Sequence, residues 1–84
     1  MAFLKPANSG VEVPLPGERP AYQTRVIAEA TDLDARRDAL KAFIQGPLFD
    51  KVDIAEQARL KLQFQMMTGY AIVLHDRIAN FPPA

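Results

Sequence analysis

Residues 59–67 read Arg59-Leu60-Lys61-Leu62-Gln63-Phe64-Gln65-Met66-Met67, and how they are read decides the fold. Apolar and polar residues alternate through most of the stretch, which is the mark of a half-buried β-strand. A longer rhythm overrides that alternation. From Leu60 the apolar residues continue through Phe64, Met67, Ala71, Leu74, Ile78 and Phe81, spaced 4, 3, 4, 3, 4, 3. This is the heptad spacing of one helix face, sustained well beyond the length of an ordinary strand. The alternation covers only the first part and the heptad covers all of it, so a helix is predicted.

Leu62, Met66, Gly69 and Val73 remain, spaced 4, 3, 4. They line a second stripe on a different face of the same helix, so the alternation is two helical stripes seen in projection. One stripe is expected to close an intramolecular hairpin. The other is expected to bury itself against another subunit, because a contiguous apolar patch left in water is unfavourable. Alternatively, the loop and N-terminal segment fold back over it. Gly69 costs roughly 1 kcal/mol in a helix relative to Ala, a cost that a close helix crossing would offset.

Working outward, Asp53-Ile54-Ala55-Glu56 resembles a capping box, with Asp at the N-cap and Glu three residues on. The second helix is therefore placed over about 53–81, with Pro82-Pro83 as its stop. An earlier helix is placed over about 20–45. Pro20 suits a first turn, and Val26, Ala30, Leu33, Arg37, Leu40 and Ile44 follow a heptad rhythm with Arg37 at a core-type position. Gly46 and Pro47 end it, with Gly46 free to take a left-handed cap. The short connection carries Leu48 and Phe49, both expected to tuck against the hairpin end. The expected fold is all-α: an antiparallel two-helix hairpin domain over 20–84 that assembles into a helical-bundle oligomer.

Residues 1–19 form a separate arm. Pro6, Pro14 and Pro16 with Gly10 and Gly17 block a helix there. The arm is either disordered or docks Phe3, Leu4, Val11, Val13 and Leu15 on a neighbour.

Eighty-four residues make one small domain, of a size that is marginal alone. There is no Cys and a single His, which argues against a disulfide framework and against a metal centre in one chain. Oligomerisation is then the common remaining source of stability. Ten basic and ten acidic residues cancel. That opposes direct DNA binding, which needs excess positive charge, and equally opposes an acidic DNA mimic. The N-terminus does not read as a signal peptide, and no apolar run approaches the roughly 18 residues of a membrane span. A soluble protein of the cytoplasm is expected.

Antiparallel packing brings Tyr22, Arg25, Tyr70, His75 and Arg77 toward the open end of the hairpin. Arg grips phosphate by paired hydrogen bonds and Tyr stacks on a base. Tyr22, Arg25, Arg37, Tyr70 and Arg77 are therefore candidate ligand residues, although Tyr at a core edge and Arg in surface ion pairs would look the same. Arg37 either snorkels, with its stem packed and its head in water, or meets an acidic group at an interface. Leu62, Met66, Gly69 and Val73 are the candidate oligomer interface. Asp32, Asp34 and Asp38 read as a solvated face. His75 lacks a Ser or Cys nucleophile, and neither a phosphate loop nor a carboxylate pair stands out, so no catalytic residue, cofactor or metal is assigned and no enzyme is expected.

The run from Tyr22 to Ile44, the loop with Pro47-Leu48-Phe49, and the run from Glu56 to Phe81 resemble a family of small phage and prophage helical hairpins named after a crAss-like phage gene. The matching positions are Arg25, Val26, Leu33, Asp34, Leu40, Phe43 and Ile44, then Met67, Tyr70, Leu74, Arg77, Ile78 and Phe81. The family pattern tends to carry an aliphatic residue where this chain has Arg37. Small phage accessory proteins often counter host immunity, and some other phage hairpins form symmetric oligomers that soak up cyclic-nucleotide signals. That second likeness is one of architecture alone. The resemblance implies a non-enzymatic phage protein in the bacterial cytoplasm, a homo-oligomer that sequesters a nucleotide immune signal in pockets between subunits. The alternatives are an anti-CRISPR-type inhibitor of a host defence protein, acting through the arm and the second stripe, and a structural oligomer with no ligand.

Overall fold

A computed structural model describes residues 18–83. The arm expected over 1–19 lies almost wholly outside the described residues. Helix α1 spans Ala21–Ile44, a single 3-10 turn spans Phe49–Lys51, and helix α2 spans Ile54–Ala79. The two helices pack against each other as a hairpin, and the RLKLQFQMM stretch lies inside α2.

Each helix boundary has a local cause. Pro20 is the N-cap of α1, with φ −56° and ψ 150°, and its ring costs nothing where no helical N–H is needed. Asp53 caps α2, its carboxylate accepting from the Ala55 N–H at 3.1 Å. The expected return contact of a capping box is replaced by an ion pair between Glu56 and Arg59, 2.7 Å long. At the end of α1 the expected left-handed glycine cap does not form. Gln45 is the C-cap in a right-handed conformation, its N–H donating to the Lys41 carbonyl at 3.0 Å while the Gly46 N–H donates to the Phe43 carbonyl at 3.1 Å, and Gly46 does not take a positive φ. Gly46 instead avoids crowding, because a Cβ there would lie 3.1 Å from the Ala42 carbonyl oxygen.

The core is one thin seam. Val26, Ala30 and Leu33 of α1 bury against Ala71 and Leu74 of α2, and Met67, Ile78 and Phe81 pack around them. Two small residues at the centre, Ala30 and Ala71, allow close helix approach. Burying a side chain such as Leu74 contributes about 1.5–3 kcal/mol. The seam continues toward the N-terminus of α1 through Gln23, a buried polar residue three positions before Val26.

The connection is stitched from inside. Gln57 Nε2 donates to the carbonyls of Phe49 (3.1 Å) and Val52 (2.8 Å). Phe49 is buried, edge-on to Phe43 at 6.1 Å between ring centroids, with the Lys61 ammonium 5.6 Å from its ring centroid. Leu48, expected to tuck in beside it, points outward and is 59 % exposed. One aromatic ring already fills the space at the hairpin end.

Candidate ligand-binding site and exposed helix face

At 3.6 residues per turn, the positions on each helix separate into the core seam and two flanks. Tyr22 and Arg25 of α1 lie on the same flank of the hairpin as Tyr70 and Arg77 of α2. The antiparallel register puts Tyr22 at the open end, where its ring meets Phe81 edge to face, centroids 5.7 Å apart. Both tyrosines are half exposed. Among the described residues neither Arg25 nor Arg77 has an ion-pair or hydrogen-bond partner. Two unpaired guanidinium groups and two accessible aromatic rings thus share one flank.

Gln23, which sequence reasoning passed over, orders this end. Its amide is buried, yet both ends are satisfied: Nε2 donates to the Tyr22 hydroxyl at 3.2 Å, and Oε1 accepts from Arg19 at 3.3 Å. A buried amide without such partners would cost about 1–3 kcal/mol. The pairing fixes the Tyr22 hydroxyl and places Arg19 at the same end. The signal was available, since Gln23 falls on the heptad rhythm of Val26 and Ala30.

Arg37 is not brought to this group. It lies 12 residues along α1 from Arg25, about 18 Å at 1.5 Å per residue. Its stem is packed and its head is engaged within the hairpin. The guanidinium lies 4.7 Å from the Phe64 ring centroid, and Nε donates to Thr68 Oγ1 at 2.8 Å. The Thr68 hydroxyl in turn donates to the Phe64 carbonyl, also at 2.8 Å.

His75 turns to the opposite flank. Its Nε2 meets Asp34 Oδ2 at 2.7 Å across the two helices. Asp34 thus has a partner across the hairpin while its side chain stays 41 % exposed, and Asp32 pairs along the helix with Arg36 at 3.0 Å. Among the described residues, no group of three or more His, Asp or Glu could hold a metal ion, and no helix is long and apolar enough to cross a membrane.

Among the described residues nothing covers the second stripe of α2. Leu62, Met66 and Val73 are all more than half exposed, and Met66 is 62 % exposed. A Cβ built on Gly69 would meet nothing within 4 Å, so no helix among the described residues crosses there.

The profile of the Sequestin family matches residues 20–80. An uncharacterised 7.5 kDa protein of Enterobacteria phage T4, from the denB–rIIB intergenic region, is 41 % identical over 61 residues, covering 73 % of this chain and 95 % of that protein. No solved structure matches the chain. The likeness to small phage proteins seen in the sequence is supported at that level, while the association with a crAss-like phage gene finds no support in it. Because the match spans the whole hairpin, both helices and the stitched turn between them, the chain belongs to the Sequestin family.

Proposed function

We propose that this is a non-enzymatic phage protein that counters host immunity by sequestering a nucleotide immune signal in pockets between the subunits of a homo-oligomer in the bacterial cytoplasm. The observation that carries the reading is the pair Arg25 and Arg77, unpartnered among the described residues and sharing a flank with Tyr22 and Tyr70. Phosphates suit guanidinium groups that are not already neutralised, and bases suit accessible aromatic rings. The family name, Sequestin, supports a binding role, and the phage T4 relative supports a phage origin. A neutral chain does not oppose it, since such a pocket needs only local positive charge.

The test is thermal melting and light scattering with a panel of cyclic nucleotides. A ligand that binds only the folded state raises the melting temperature. One nucleotide should do so for the wild-type protein. The same nucleotide should give no shift with Arg25→Ala, whose mass stays unchanged. A flat response across the panel, confirmed by calorimetry, overturns the nucleotide reading.

The bare face of α2 favours one other reading, an anti-CRISPR-type inhibitor that docks Leu62, Met66 and Val73 on a host defence protein. In that case Met66→Glu abolishes capture of the host protein, and Arg25→Ala leaves it intact.

A further inference from the structure

The exposed flank of α2 carries a pattern beyond the apolar stripe. Arg59, Gln63, Met66, Tyr70, Val73 and Arg77 are spaced 4, 3, 4, 3, 4. At 3.6 residues per turn they fall within an arc of about 80°, with Leu62 and Gly69 along one margin. All six are exposed. The spacing reads the same from either end and its midpoint is Thr68. Such a stripe is complementary to itself when two copies run antiparallel, and two-fold self-pairing is the commonest form of homo-oligomer.

The charges agree with that register. Arg77 lacks a partner among the described residues. Arg59 is held by Glu56 through its Nε at 2.7 Å, and Glu56 is on the same side of the helix one turn earlier. An antiparallel partner centred on Thr68 sets each Arg77 level with Arg59 of the partner subunit and within reach of Glu56 of the partner subunit. Each end of the interface then holds an Arg–Glu–Arg cluster, and the apolar centre is closed by Met66 against Tyr70 of the partner subunit. A parallel pairing would instead stack Arg77 on Arg77 and Arg59 on Arg59, with no carboxylate opposite Arg77. Gly69, whose missing side chain nothing among the described residues explains, lies within one residue of the crossing point.

We propose that two copies of this chain pair through α2 in antiparallel, two-fold fashion centred on Thr68, with Arg77 bound to Glu56 of the partner subunit. The inference rests on the self-association in the proposed function and specifies it. It holds without a nucleotide, and it commits Arg77 and Tyr70 to the interface, so Tyr22 and Arg25, with the partner helix as a wall beside them, are the groups left for the ligand.

The chain has no cysteine, so single-cysteine variants report the register directly. Chains bearing Gln63→Cys are mixed with chains bearing Val73→Cys and oxidised mildly. The expected product is the mixed 63–73 disulfide dimer, well in excess of either same-site dimer. Both positions are exposed, so folding should be unaffected, and circular dichroism checks it. A predominance of same-site dimers overturns the antiparallel register. Absence of any disulfide dimer, with light scattering showing a monomer, overturns the pairing.

Charge reversal tests the end contact. Arg77→Glu should weaken dimerisation at least tenfold, and Glu56→Arg combined with Arg77→Glu should restore most of it. No rescue overturns the Arg77–Glu56 contact. Nucleotide melting shifts are followed on wild-type protein in parallel. A shift alongside the wrong disulfides sinks the register and spares the sequestering reading, and the right disulfides without any shift do the reverse.

Discussion

The Arg37 guanidinium lies over the Phe64 ring, 4.7 Å from its centroid, while its Nε donates to Thr68 at 2.8 Å. A charged residue thus occupies a seam position by covering an aromatic face with its planar head and packing its stem below. The side chain is 28 % exposed, so the charge keeps contact with water and avoids the full cost of burial.

From this contact, Arg37→Ala should destabilise the hairpin by about 1–2 kcal/mol, through lost packing, a cation–π contact and a hydrogen bond. Arg37→Met should cost less than about 1 kcal/mol, because the stem volume stays and the Thr68 hydroxyl still has the Phe64 carbonyl as acceptor. Urea denaturation of the two variants measures the difference. Nucleotide binding should survive in both, since Arg37 is held away from the Arg25 flank. A loss of binding in Arg37→Met with stability intact would return Arg37 to the ligand site.

The two stripes of α2 should respond oppositely to truncation. Leu74 is 1 % exposed in the seam, and Leu74→Ala should cost about 2–5 kcal/mol. For a small two-helix domain that is much of its stability, so a large fall in melting temperature is expected. Met66→Ala removes a side chain that touches little in the single chain. It should leave helicity unchanged and shift mass toward the monomer in light scattering. Equal effects on folding from both would mean that Met66 packs within its own chain.

Heptad spacing identified both helices, the seam and the bare stripe, because helical periodicity acts over many residues and survives local ambiguity. Met67, Ala71 and Leu74 can be assigned to the seam from spacing alone. Three features could not. The Gly46-Pro47 pair suggests a left-handed cap, but the chain turns with Gln45 right-handed, and the glycine avoids crowding against the nearby Ala42 carbonyl. The acidic run groups Asp34 with its neighbours, although its partner His75 lies 41 residues away. Gln23 fell on the seam rhythm and was passed over because it is polar. Such facts depend on which side chains meet across the hairpin, and periodicity does not encode that. Of the candidate ligand residues, the structure groups Tyr22, Arg25, Tyr70 and Arg77 on one flank and sets Arg37 apart.

Gln23 should matter more for the position of Tyr22 than for stability. It is 2 % exposed, and its amide bridges Arg19 and the Tyr22 hydroxyl. Gln23→Met keeps the volume and removes the polar burial, so stability should stay within about 1 kcal/mol of wild type. Gln23→Ala opens a cavity and should lose about 1–2 kcal/mol. If the amide holds Tyr22 for stacking, Gln23→Met should still weaken nucleotide affinity severalfold in calorimetry. Unchanged affinity would show that Tyr22 needs no such support.

The His75–Asp34 contact has the composition of a general acid–base pair, and its position argues for a clasp instead. It joins α2 to α1 on the flank away from Tyr22 and Arg25, and both groups are more than 40 % exposed. Exposed ion pairs contribute about 0.2–1 kcal/mol and weaken with salt. A double-mutant cycle with Asp34→Ala and His75→Ala should therefore give a small coupling energy that shrinks at 1 M salt, roughly 3 Å of Debye length. His75→Ala should leave nucleotide binding intact. Nucleotide released by heat from either protein should have its original mass, because a sequestering protein returns what it held. Recovery of a cleaved product from wild type, and of intact nucleotide from His75→Ala, would make this pair catalytic and the protein an enzyme.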